Sequence, residues 1–101
     1  MSRLTVRRSA ERELIAAAAW YNRHQDGLGR EFLEAVGRSF RHIEETPLAF
    51  PQWRADAPYR KYVVKRFPYV VFYVVTGSDV CVVAVAHGRR KPGYWVRRRR
   101  R

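Results

Sequence analysis

The sequence predicts an α+β fold of order β-α-α-β-β-β, a helical hairpin packed on a small, mainly antiparallel sheet. Three observations predict it. Two stretches before Pro47 carry apolar residues at helical spacing and are separated only by Asp26-Gly27-Leu28-Gly29. Three short runs rich in Val, Tyr and Phe fill the chain from Tyr59 to Ala86, with Pro68 and a Gly77-Ser78-Asp79 turn between them. The last two runs are apolar almost throughout, so both faces of their sheet require a cover.

Over Arg3 to Arg7, Leu4 and Val6 alternate with polar neighbours, which makes a short first strand. Ser9 is the expected cap of the first helix, with Glu11 and Glu13 set against the positive end of its dipole. Ala10, Leu14, Ala17, Ala18 and Tyr21 form one stripe of that helix, which reaches about Gln25. A second helix is expected from about Arg30 to Glu45, with Phe32, Leu33, Val36, Phe40 and Ile43 on one face and Thr46-Pro47 as its stop. So short a connection makes the helices antiparallel neighbours, and their alanines allow a close approach. From Pro47 to Pro58, prolines with Phe50 and Trp53 indicate an irregular crossing pinned by its rings.

The run Tyr59 to Phe67 is read as the next strand. Alternation puts Tyr59, Lys61, Val63, Lys65 and Phe67 on one face, and Arg60, Tyr62, Val64 and Arg66 on the other. Charge on both faces marks an edge strand. Strands Tyr69 to Thr76 and Val80 to Ala86 complete an antiparallel meander. The hairpin supplies one cover of the sheet, and a loop or another molecule is left to supply the second.

A length of 101 residues suits one domain, taken as 1–96, followed by a basic disordered tail over 97–101. The lone Cys81 sits inside an apolar strand, where a small buried thiol and a reducing compartment are expected. No apolar run reaches the roughly 18 to 20 residues of a membrane span, and the N-terminus lacks the apolar core of an export signal. The expectation is a cytoplasmic protein with no membrane partner.

Charge is unevenly placed. From Tyr59 onward, 12 Lys or Arg stand against the single acid Asp79, whereas residues 1–58 carry nine against eight. The sheet half therefore holds nearly all of the net +12 and attracts polyanions or acidic protein segments. No paired carboxylates, phosphate-binding Gly loop or metal-ligand spacing occurs, so neither a cofactor nor a metal is expected. His24 and His42 fall on the helices without a metal partner. The candidate interaction set is Arg60, Lys61, Lys65 and Arg66 on the basic strand, joined by His87, Arg89, Arg90 and Lys91 beyond the last strand. Tyr62, Tyr94 and Trp95 are the rings available for stacking. Cations interleaved with rings suit single-stranded nucleic acid and acidic proteins alike.

The run Arg66-Phe67-Pro68-Tyr69-Val70-Val71-Phe72-Tyr73, then Val82-Val83-Ala84-Val85-Ala86-His87-Gly88-Arg89-Arg90-Lys91-Pro92 with Trp95 after it, resembles the second half of RelE/ParE-superfamily toxins, above all the ParE-like branch. The helical pattern of Leu14, Ala18, Tyr21, Phe32 and Ile43 is similar too, so the likeness spans most of residues 3–95. It implies the same fold and a toxin of a bacterial type II toxin-antitoxin module, held inactive by a cognate antitoxin protein. For the ParE-like branch it implies DNA gyrase as the target. For the RelE-like branch it implies a ribosome-dependent mRNA endonuclease, with ribosome and mRNA as partners and with Lys61, Lys65, Arg90 and Tyr94 as the matching catalytic positions. A further Arg of that branch falls here at Val70, a departure that favours the gyrase reading. A non-toxic basic nucleic-acid-binding module is the third alternative.

Overall fold

The computed structural model describes residues 3–98. Strand β1 (Arg3–Val6) is followed by α1 (Arg8–His24), α2 (Leu28–Glu45), β2 (Tyr59–Val63), β3 (Tyr69–Thr76), β4 (Asp79–His87) and a single 3₁₀ turn (Tyr94–Arg97). The sheet runs β1-β4-β3-β2, with β1 parallel to β4 and the other pairs antiparallel. The expected α+β architecture and the edge position of β2 both hold.

Local differences have physical causes. Ser9 is not a cap, because α1 begins at Arg8 directly out of β1. The Arg7 amide still donates to the Val82 carbonyl (3.0 Å) and its carbonyl accepts the Glu11 amide (2.9 Å), so Arg7 takes the cap position and Ser9 falls inside the first turn. At the hairpin, Gly27 adopts φ 87° and its amide donates to Asn22 Oδ1 (2.9 Å), so α2 starts at Leu28, earlier than expected. Gly29 lies inside that helix as a close-approach residue: a Cβ there would stand 2.5 Å from the Ala18 carbonyl oxygen. Leu33 is exposed, not on the core stripe; Ala35 and Ser39 are buried beside Phe32, Val36 and Ile43 instead. The Ser39 hydroxyl is satisfied by donating to the Ala35 carbonyl (3.0 Å).

The basic strand is shorter than the sequence suggests. Pairing ends at Val63, and Arg66 turns the chain with φ 76°. Val64 and Phe67, expected on opposite faces, are both buried on the hairpin side, where the Phe67 ring meets Tyr21 and Phe32 edge-on. Burying that ring outweighs continued alternation. In β4 the register shifts opposite Phe72/Tyr73, leaving Val83 as the extra residue of a bulge. Val83 and Ala84 consequently join Phe72 and Ala86 on the face away from the helices.

That second face is covered by the chain itself. Trp95, wholly buried, stacks on Phe72 (centroids 4.1 Å apart) and meets Trp53, Tyr59 and Tyr94 edge-on. Cys81 borders this cluster and is half-buried, where full burial was expected. Of the expected 97–101 tail, Arg97 closes the 3₁₀ turn and Arg98 packs back on the sheet; the remainder lies outside the described residues. No helix among the described residues is long and apolar enough to cross a membrane.

Candidate functional site

Because β1 pairs with β4 only as far as Val82, the rest of β4 has a free edge on that side. α1 lies along it, and Glu13 is the side chain that reaches down: its Oε1 accepts the Val85 amide at 2.9 Å. The edge beyond Glu13 opens into a groove of about 790 Å³ lined by Ala16, Ala17, Trp20, Tyr21, Tyr69 and Val85, with His87 and Arg90 at its rim. Burial pushes the Tyr21 and Tyr69 phenols above their ordinary range, so these walls are neutral as well as apolar. Trp20 is half-exposed and stacks on His24 (3.9 Å), whose Nδ1 donates to the Trp20 carbonyl (2.8 Å).

A second cleft, about 1120 Å³, separates the crossing segment from the C-terminal turn. Its cations are Arg54, Arg90, Lys91 and Arg97, its rings Trp53, Tyr59 and Tyr94, and its one acid Asp56. Asp56 is engaged with Arg54 (3.2 Å) at the surface. The rings are already occupied. Arg90 lies over Tyr94 at 3.4 Å with Arg98 also against that ring, while Trp53 packs on Trp95. The cleft therefore offers positive charge and guanidinium donors more than open stacking faces.

Glu13 joins the two clefts. Its Oε2 accepts the Tyr94 hydroxyl, Arg98 Nη2 (2.9 Å) and Arg90 Nη1 (3.4 Å). Burial first, and then the hydrogen bond to Glu13 and its charge, push the Tyr94 phenol far up; Arg90 and Arg98 oppose this only in part. Tyr94 is consequently a neutral donor at physiological pH.

The expected site residues do not form one surface. Trp95 is unavailable for stacking because it is the core of the second face, and Tyr62 turns to the hairpin side, sharing a hydrogen bond with His42 (2.7 Å). Arg60 is spent inside the fold: Nη1 donates to the Phe50 carbonyl (2.7 Å) and the Leu48 carbonyl (3.4 Å). Arg66 pairs with Glu31 (2.8 Å). His87 Nδ1 accepts the Arg89 amide (3.0 Å), which fixes the loop leaving β4. Lys61 lies on β2 and Lys65 in the loop after it, with β3 and β4 between them and the Glu13 cluster. Lys61 stands opposite Phe72 in the sheet, and neither it nor Lys65 lines the cleft that holds Arg90 and Tyr94. Arg90, Lys91 and Tyr94 are brought together, and Arg89 is exposed beside them.

Sequence reasoning missed Glu13 and Trp20 as site residues. Their signal was position: Glu13, Ala17 and Trp20 follow one another at i, i+4 and i+7 alongside the buried stripe of α1, so an acid and an indole were bound to border the sheet.

The sequence profile of the ParE toxin of type II toxin-antitoxin systems, parDE, matches residues 4–92. No curated protein matches the chain. Among solved structures, the chain is similar to one in the chromosomal ParDE TA system from P. aeruginosa, with a TM-score of 0.65 and 16% identity over 86% of this chain and 96% of that one. At that identity the likeness speaks for the fold.

Proposed function

The chain belongs to the ParE toxin family of type II toxin-antitoxin systems, and on that premise we propose that it inhibits DNA gyrase by binding and is neutralised by a cognate antitoxin. The basic cleft, with Arg54, Arg90, Lys91 and Arg97, is the target surface in this reading. Arg89 adds charge beside it. The apolar groove beside β4 takes an antitoxin segment, whose acidic character complements a chain of net charge +12.

The observation that carries the choice of binding over cleavage is the commitment of Tyr94. A metal-free RNA cleavage site needs a group beside the 2′-hydroxyl, a cation on the phosphate and a donor for the leaving oxygen, all within hydrogen-bond reach of one another. Here the Tyr94 hydroxyl is bound to Glu13, and neither Lys61 nor Lys65 lines the cleft that holds it. Val70, on the face where a further cation is wanted, packs into the Trp95 cluster.

The test sets purified protein against gyrase with relaxed plasmid and, separately, against translating ribosomes. Loss of supercoiling with intact mRNA is expected. Codon-phased cuts in mRNA with unimpaired gyrase would replace this reading with ribosome-dependent cleavage.

A further inference from the structure

The four groups on Glu13 are not held equally. Tyr94 and Arg98 flank Trp95, which is wholly buried and fastens their turn to the sheet, and Arg98 Nη1 also donates to the Val83 carbonyl (3.4 Å). Val85 is held within β4 by its strand partner Val71. Arg90 is different: it sits in the exposed loop after β4, its side chain is 51% exposed, and at 3.4 Å its contact with Oε2 is the longest of the four, so that its main restraint is the Tyr94 ring beneath its guanidinium. It is also a residue common to both clefts, at the rim of the groove and in the wall of the basic cleft.

Resting on the antitoxin-and-target reading above, we propose that Glu13 is the positioning residue that sets Arg90 for the target, and that an antitoxin carboxylate entering the groove competes with Glu13 for it. Filling the groove thereby withdraws a cation from the basic cleft. The groove lining holds no carboxylate other than Glu13, so an incoming acid meets Arg90 as its guanidinium partner, with His87 beside it. In the basic cleft the neighbours Arg54, Lys91 and Arg97 repel Arg90, which lowers the cost of drawing it toward the groove. Linkage makes the effect mutual: a target that engages Arg90 weakens the antitoxin by the same factor.

Glu13→Gln is the discriminating variant, since the amide keeps the size and one acceptor oxygen, which can still take the Val85 amide, while removing the charge and the second acceptor that hold Arg90. It is expected to weaken gyrase inhibition by about tenfold and to tighten the cognate antitoxin by about threefold, opposite signs on the two partners. In an Arg90→Ala background the same change should tighten the antitoxin no further and should cost inhibition less than it does in the wild type, the remainder passing through Tyr94 and Arg98. Weakening of both partners would reduce Glu13 to a structural role and overturn the proposal. Tightening of the antitoxin that persists in Arg90→Ala would do the same, because it would mark simple charge repulsion. Side-chain NMR of the ¹⁵N-labelled chain supplies a readout independent of the target: the Arg90 Nε signal should shift on adding antitoxin while that of Arg98 moves less. An Arg90 signal unmoved at saturating antitoxin would end the idea. Wild-type protein that leaves gyrase untouched would instead remove the target assignment and leave the antitoxin and NMR arms to judge the coupling.

Discussion

The two faces of the sheet are buried by different means. On one, helices of 17 and 18 residues lay a continuous stripe, from Ala10 through Tyr21, Phe32 and Ile43, over Val71, Tyr73, Val80, Val82 and Val85. On the other, Trp95 and a few rings brought by irregular chain cover Phe72, Val83, Ala84 and Ala86. A helical cover spreads its energy over many side chains and closes the surface. The cover built from loops depends on single residues and leaves gaps at its perimeter, and the basic cleft is one of them. The apolar groove lies where the helical cover stops short of the free end of β4.

Truncating the main residue of each cover should separate them most strongly. Trp95→Ala and Phe32→Ala each remove a fully buried ring and should each cost about 3–5 kcal/mol in urea denaturation. They should differ in function. Losing Trp95 frees Tyr94 and Arg98 from Glu13, so inhibition of the target should vanish under conditions where the variant is still folded and binds antitoxin; Phe32→Ala should impair both in proportion to its stability. Equal losses of both activities in Trp95→Ala would mean that the two covers are not functionally distinct. Among the described residues, the Trp95 indole N–H is a buried donor without a partner. Trp95→Phe, which deletes that donor, should therefore lose less than ring burial alone predicts.

A pH titration reports on the helical side. Burial, opposed in part by Arg60, pushes the Tyr73 phenol up to about 12, and its hydroxyl donates to the Pro47 carbonyl (2.7 Å). Raised in the folded state, this group favours folding in its neutral form. Its contribution is complete below the ordinary tyrosine range near pH 10 and is lost as pH climbs toward about 12, a fall on the order of 2 kcal/mol. Tyr73→Phe should flatten that alkaline limb in denaturation curves taken from pH 9 to 12, measured as a difference from wild type since Tyr94 titrates in the same sense.

The same contrast decides what could be read from the sequence. The hairpin and the meander are periodic, and period is visible without coordinates: the stripe from Ala10 to Tyr21 and the apolar runs of β3 and β4 fall where expected. Trp95 was legible as an aromatic but not as a core residue, because its partners Trp53, Phe72 and Tyr59 are far away in the chain and set by no repeat. The charges misled for a related reason. Alternation showed which strand positions carry cations, yet Arg60 and Arg66 are consumed by carbonyls and by Glu31, contacts that only the path of the crossing segment and α2 creates. Glu13 acts across 72 residues on Val85, a separation that no local pattern encodes.

Glycines test the dependence of the thin cover on single positions at smaller magnitude. Gly93 has φ 100°, and a Cβ there would stand 3.1 Å from the Trp53 ring. Gly77 shares a positive φ of 61° but faces open space. Alanine at either position should cost about 1–2 kcal/mol for the left-handed backbone. The excess for Gly93→Ala over Gly77→Ala, read from thermal denaturation, measures how tightly Trp53 must sit against the turn. No excess would mean that the Trp53 side gives way freely.

The smallest effect concerns Arg66, the residue whose sequence reading and structural use diverge most. Its φ of 76° is unfavourable for a branched-off side chain, and glycine would relieve roughly 1–2 kcal/mol of that strain. Against this, the exposed pair with Glu31 contributes at most about 1 kcal/mol and is screened by salt. The guanidinium 5.0 Å from the Phe67 ring adds a little more, and the greater freedom of glycine in the unfolded chain costs about 0.5–1 kcal/mol. These terms nearly cancel, so Arg66→Gly should leave stability within about 1 kcal/mol of wild type, with the balance moving in its favour as salt rises and the ion pair weakens. It lines neither cleft, so the proposed inhibition of gyrase and the antitoxin affinity should stay unchanged. A selective loss of inhibition in a fully stable Arg66→Gly protein would extend the target surface around the far edge of the sheet, and the division of labour between the two faces would then have to be redrawn.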